Sequence, residues 1–315
     1  MRYGKLLLIL AALCVTGEGL FRPPGTQPGM PMVSHPEIPA ASRPEMPAIP
    51  HGPGTAGLGQ VSPVWSGVQE AGQEMDEGPP YNGRFTFVRI RYGGAGDDLR
   101  TFGFDRRGRR GGRGRGGQAP WAHDYPRAET NFARIVEATT FIDTYTEGAS
   151  GRVLTLDDPE LFKYPVASII EVGYWNPTDE EVRNLRAWLL KGGFLIVDDT
   201  RQDRGYEFQN FETQMRRVLP GYEILLVPPE HEIFDSFFRI EDPQALVPPY
   251  GRHVPVYLGI FEENDPVAGR IMVMINFNTD LQEYWEFSDR GYYPIDLSNE
   301  AYKFGINYLV YAFTH

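Results

Sequence analysis

Apolar and polar positions along this chain change their pattern sharply near Tyr81. From Phe21 to Pro80 no apolar period is sustained; Pro, Gly and Ala dominate, with the near-repeats Pro36-Glu37-Ile38-Pro39 and Pro44-Glu45-Met46-Pro47. Such a stretch predicts an extended, disordered tether. After Tyr81, short apolar runs alternate with amphipathic stretches of helical spacing, which predicts a mainly parallel sheet covered by helices on both faces.

The clearest unit runs from Thr178 to Asp199. Thr178 and Glu181 have the spacing of a capping box, Asp179 and Glu180 suit the positive end of a helix, and Val182, Leu185, Trp188 and Leu189 form one apolar stripe. Gly192 supplies the stop. The run Phe194-Leu195-Ile196-Val197 then predicts a buried parallel strand ending on Asp198-Asp199. Further strands are predicted over Arg84–Tyr92, Val153–Leu156, Val166–Val172, Glu223–Val227, Val254–Phe261 and Arg270–Phe277. Helices are predicted over Glu129–Phe141, over Glu207–Leu219 and from Ser298 onward. The alternation in Arg84–Tyr92 predicts a strand with one exposed side, near an edge.

The amino terminus adds an expectation of export. Arg2 and Lys5 precede an apolar stretch from Leu6 to Val15, and Gly17 or Gly19 offers a cleavage point, so residues 1–19 read as a signal peptide, 20–80 as the linker and 81–315 as the folded domain. The stretch is too short to span a bilayer, so no transmembrane span is expected after cleavage. The expected location is periplasmic or secreted. The single cysteine, Cys14, lies within the stretch. Leu13 before it suits a lipid anchor poorly, and cleavage after either glycine would remove the only thiol, excluding disulfides and thiolate chemistry from the mature chain.

Charge narrows the partners. The chain has 315 residues and a net charge of −12, yet six arginines fall within the Arg/Gly-rich loop 105–118. An acidic body with one cationic loop argues against a protein built to coat nucleic acid. The loop reads either as a low-complexity insertion, which costs little closure entropy, or as a device for engaging a polyanion.

Chemistry should gather at the carboxyl ends of the strands, where open α/β sheets bind ligands. Four such ends carry Tyr92-Gly93-Gly94, Gly173-Tyr174-Trp175, Asp198-Asp199-Thr200 and Asn276-Phe277-Asn278. Side-chain alternation predicts that Asp198 and Asp199 face opposite ways, one supporting the backbone and one facing a crevice. Trp121-Ala122-His123-Asp124-Tyr125-Pro126 offers a pocket wall with Asp124 as its polar contact, and His231 in Pro229–Phe234 is a third candidate. The candidate binding set is Tyr92, Asp124, Trp175, Asp198, Asp199, His231 and Asn278. No familiar metal-ligand spacing or phosphate loop is present, so neither a metal nor a cofactor is expected.

Several segments together carry a resemblance: Tyr92-Gly93-Gly94-Ala95-Gly96-Asp97, Trp121 with Asp124-Tyr125-Pro126, Leu189 to Asp199, Phe211-Glu212, Leu219-Pro220-Gly221, His231-Glu232-Ile233-Phe234 and Gly305-Ile306-Asn307. They resemble a bacterial family known as a domain of unknown function, which is similar to the class I glutamine amidotransferase-like superfamily. The resemblance implies a flavodoxin-like three-layer sandwich. Active members of that superfamily use a cysteine at the turn after a central strand; here the comparable turn is Asp198-Asp199-Thr200, so cysteine-dependent amidotransferase chemistry is excluded.

Three readings stay open. One is a non-catalytic module binding a small polar ligand, such as a sugar, or an envelope protein partner at the strand-end crevice. Another is a metal-dependent or acid-base hydrolase using Asp124, Asp199 and His231. The third is an envelope interaction module working through its Arg/Gly loop.

Overall fold

The computed structural model describes residues 77–93, 119–202, 205–250 and 253–315. The expected signal peptide, the tether as far as Asp76, the Arg/Gly-rich loop and the Gly94–Asp97 segment lie outside them. One seven-stranded sheet organises the described residues: β1 (Phe87–Ile90), β2 (Gly151–Leu154), β3 (Val166–Ile170), β4 (Phe194–Thr200), β5 (Leu225–Leu226), β6 (Val256–Phe261) and β7 (Ile271–Phe277), in the order β2-β1-β3-β4-β7-β6-β5. The pairs from β2 to β7 are parallel; β6 runs antiparallel to both neighbours. This is an α/β fold with a mostly parallel sheet.

β4 shows how one strand feeds two layers. Its seven residues are all buried. Leu195 and Val197 pack on one face with Val182, Leu185, Trp188 and Leu189 of α2 (Asp179–Leu190) and Phe211, Met215 and Val218 of α3 (Gly205–Val218). Phe194 and Ile196 pack on the other with α1 (Arg127–Thr139), α4 (Leu281–Phe287) and α5 (Ile295–Thr314). Continuous burial of a β-branched and aromatic run is what a central parallel strand requires.

Local chemistry sets the joints. The capping box at α2 is complete: Glu181 N donates to Thr178 Oγ1 at 3.2 Å, and Thr178 N donates to Glu181 Oε2 at 2.7 Å. Such a cap is worth about 1 kcal/mol. Trp188 donates its indole N–H to the Tyr164 carbonyl at 2.9 Å, and its ring lies where a Cβ on Gly193 would stand, 2.3 Å away. Any side chain there would displace the tryptophan, so the turn into β4 needs glycine at that position.

Two expectations change. β1 is not half exposed: all four residues are buried, with β2 and β3 on either side. Its alternation arises from Arg89, whose charge is buried against Glu129, the guanidinium Nη2 lying 2.5 Å from Oε1. α4 has no counterpart among the predicted helices, although Asp280 caps it by accepting from Glu283 N at 2.9 Å. Asp280 and Glu283 have the spacing of a helix start, the one sequence signal for this short buried element.

Candidate functional site

The carboxyl ends of the parallel strands share an uncommon backbone feature. Asp124, Glu171, Asp199 and Asn278 adopt φ values of 64°, 45°, 48° and 64°, in the left-handed region that side chains seldom occupy. For glutamate, which lacks the local hydrogen bonding that eases Asp and Asn into this region, the conformation stores strain.

Each residue is held by identifiable neighbours. Glu171 follows β3 directly, and the Tyr92 hydroxyl lies 2.9 Å from the Ile170 carbonyl and 2.8 Å from that of Glu171, fixing the turn from below. Burial and the nearby Glu171 carboxylate push the tyrosine hydroxyl well above its usual pKa, so it remains a donor. Asp199 sits in an irregularity of the β4–β7 ladder between Val197 and Thr200. Asn278 bridges the next loops: its side chain accepts from Gln202 N at 2.9 Å and donates to Gln202 Oε1 at 3.1 Å.

His123 stands at the centre. Its Nδ1 lies 3.7 Å from Asp199 Oδ2 and 3.8 Å from Glu171 Oε1, while its Nε2 lies 3.6 Å from Asp124 Oδ1. These separations are too long for hydrogen bonds. Arg89 supports the loop from beneath, donating from Nη1 to the His123 carbonyl at 3.0 Å and from Nε to Glu129 at 2.8 Å, with Gln282 as a further acceptor. Arg201 reaches Asp199 Oδ1 through Nε at 3.0 Å and lies over the Tyr250 ring, 4.4 Å from its centroid. The His123, Glu171 and Arg201 side chains keep 19%, 16% and 16% of their surface exposed, so the centre is reachable from solvent.

The electrostatics are unbalanced. Asp124, Asp199, Asp280 and Glu283 are buried within this region, and Asp124 Oδ1 and Oδ2, Asp280 Oδ2 and Glu283 Oε2 have no hydrogen-bond partner. Burial, then the neighbouring carboxylates, drives Asp124 and Asp280 well above the usual carboxylate range. Burial opposes a proton on His123, but Asp199, Glu171 and Glu283 outweigh it and raise its pKa. Carboxylates left this way incur a desolvation cost that a bound cation or donor group would offset. Two sets have the proximity for a metal ion: His123, Glu171 and Asp199, and His123, Asp124 and Glu283.

The expected crevice set divides accordingly. Asp124 and Asp199 meet at His123, and Tyr92 and Asn278 hold the adjoining backbone. Asp198 points elsewhere: its carboxylate accepts from Asn276 Nδ2 at 3.0 Å, Leu281 N at 2.9 Å and Gln282 N at 3.0 Å, which anchors α4. Burial pushes it up to about 6 against these donors. Trp175 is fully buried beside Phe211 and so belongs to the core instead of lining a crevice.

His231 is corrected outright. Its ring lies between Phe261 and Tyr311, and Nδ1 accepts from Ile233 N at 3.1 Å. Phe261 pairs with Ile271, the first residue of β7, whereas Asn278 follows the last. The histidine therefore occupies the opposite rim, roughly 20 Å away along a seven-residue strand. The hydrolase set of Asp124, Asp199 and His231 does not assemble.

His123, Glu171, Arg201, Asp280 and Glu283 join this region without belonging to the expected binding set. His123 is adjacent to the chosen Asp124, and Glu171 is hidden inside an apolar run assigned to a strand. Only the fold brings them together.

Curated proteins give no match to the chain. A family model matches residues 112–313, which take in His123, Glu171, Asp199 and both helical layers and leave out β1 and Tyr92. The chain belongs to the family described as a domain of unknown function, DUF4159.

Proposed function

We propose that this is an exported binding module whose carboxyl rim takes a small polar ligand bearing positive charge or several hydrogen-bond donors, a sugar among them. The observation that carries the reading is the set of buried carboxylate oxygens around His123 that lack hydrogen-bond partners. A folded chain retains such groups at a cost of about 1–3 kcal/mol each, which selects for their use elsewhere. The partly exposed His123, Glu171 and Arg201 give the ligand its approach.

Export rests on the basic and apolar residues of the amino terminus. Among the described residues no helix is long and apolar enough to cross a membrane. The flavodoxin-like, amidotransferase-like relationship is supported by the order β2-β1-β3-β4 in the parallel part of the sheet. With no cysteine beyond Cys14, a relative of that kind would have kept the scaffold and lost the thioester chemistry.

A thermal-shift screen of the purified chain against sugars, polyols and amines tests the reading. A compound that raises Tm in the unaltered protein should lose its effect in Asp124→Asn and Asp199→Asn. If every stabilising compound acts equally on the variants, the rim is not the binding site.

A further inference from the structure

The geometry points to a divalent metal ion, zinc or manganese, held by His123 Nδ1 and one carboxylate oxygen each from Glu171 and Asp199. The inference rests on the ligand-binding reading of the same rim and names its first occupant. His123 Nδ1 is shielded from water without a hydrogen-bond partner, and Asp199 is fully buried with neither oxygen in a hydrogen bond of good geometry. Both are aimed at the same small volume.

The spacing fits a shared ion better than a salt bridge. At 3.7 and 3.8 Å, the His123–Asp199 and His123–Glu171 pairs are too far apart to bond directly. Ligands about 2.1 Å from a tetrahedral ion stand roughly 3.4 Å apart, close to the two separations from His123, and the third pair, Glu171 and Asp199, lies within 4.8 Å. A neutral imidazole and two carboxylates supply two negative charges, which a divalent ion cancels. One nitrogen and two oxygen donors suit zinc, manganese or ferrous iron, and three protein ligands leave a position for water or a polar ligand.

The surroundings have the parts a metal centre uses. Asp124 faces the other ring nitrogen, where a carboxylate fixes the imidazole tautomer and orientation. Arg201, at 3.0 Å from the second oxygen of Asp199, orients that carboxylate and leaves Oδ2 for the ion. Arg89 ties down the backbone that carries His123.

Calorimetric titration of the chelator-treated chain with Zn2+ and Mn2+ tests the site. One equivalent should bind. Glu171→Gln and Asp199→Asn should each weaken it by more than about 100-fold, and Asp124→Asn by about 10- to 100-fold. His231→Asn should change nothing. X-ray absorption of the zinc-loaded unaltered chain, which requires no variant to fold, should show a single imidazole in an otherwise oxygen shell. Absence of saturable binding, equal affinity in the variants, or a shell with no imidazole or several would overturn the assignment. Repeating the ligand screen with and without metal separates the two proposals: a polar compound that binds the rim when no metal binds ends the metal site alone. Metal uptake without any organic ligand, in either state, ends the small-molecule reading alone.

Discussion

Asp198 and Asp199 are joined by one peptide bond and belong to different machinery. The first takes three N–H donors and secures α4, whereas the second turns at a φ of 48° toward His123 and Arg201. Substitution should separate the roles. Asp198→Asn places an amide where donors already converge and should cost about 1–3 kcal/mol in urea unfolding. Asp199→Asn should cost clearly less, since neither of its oxygens makes a hydrogen bond of good geometry and what is lost is charge facing the partly exposed Arg201 and His123.

Glu171 is a glutamate in a conformation that suits glycine, with φ 45°. Glu171→Gly relieves this strain and should raise unfolding free energy by about 1 kcal/mol, measured by chemical denaturation. A loss of stability of that size would mean that the side chain holds the fold together.

His231 should register in the pH dependence of stability. Burial outweighs the opposing charge of Glu232 and, with a smaller contribution from His315, lowers its pKa in the folded protein below that of the unfolded chain. The unfolded state then binds the proton more readily, so this contribution is fully present above the ordinary histidine pKa and is lost as pH falls through it toward the folded value. The raised Asp124, Asp198, Asp280 and His123 act the opposite way in the same window, so the test is the difference between two chains. His231→Asn retains a capping acceptor for Ile233 N, and the urea midpoint of the unaltered chain relative to this variant should drop between pH 7 and 5.5.

The scaffold was legible where local rules act alone. The Thr178 capping box, the α2 stripe and the buried run of β4 are each written in a few consecutive residues. Arg89 misleads because a buried ion pair looks like an exposed position until Glu129 is brought beside it. Candidate residues divide the same way. Asp124 and Asp199 stand at recognisable loop and strand exits. Glu171 carries no turn signal, because its left-handed backbone is held by the Tyr92 hydroxyl from the segment after β1. His231 looked as suitable as His123 by residue type; only the direction of β6 and β7 sends it to the far rim.

On the proposed reading Asp124 is held to serve a ligand and not the fold, and the unfolding free energy of Asp124→Asn at neutral pH without added metal or ligand tests this most directly. Both oxygens of Asp124 lack hydrogen-bond partners, and asparagine tolerates its φ of 64°. The variant should therefore be at least as stable as the unaltered chain, with a gain of about 1 kcal/mol. A loss of 1 kcal/mol or more would contradict the claim and make Asp124 a structural residue.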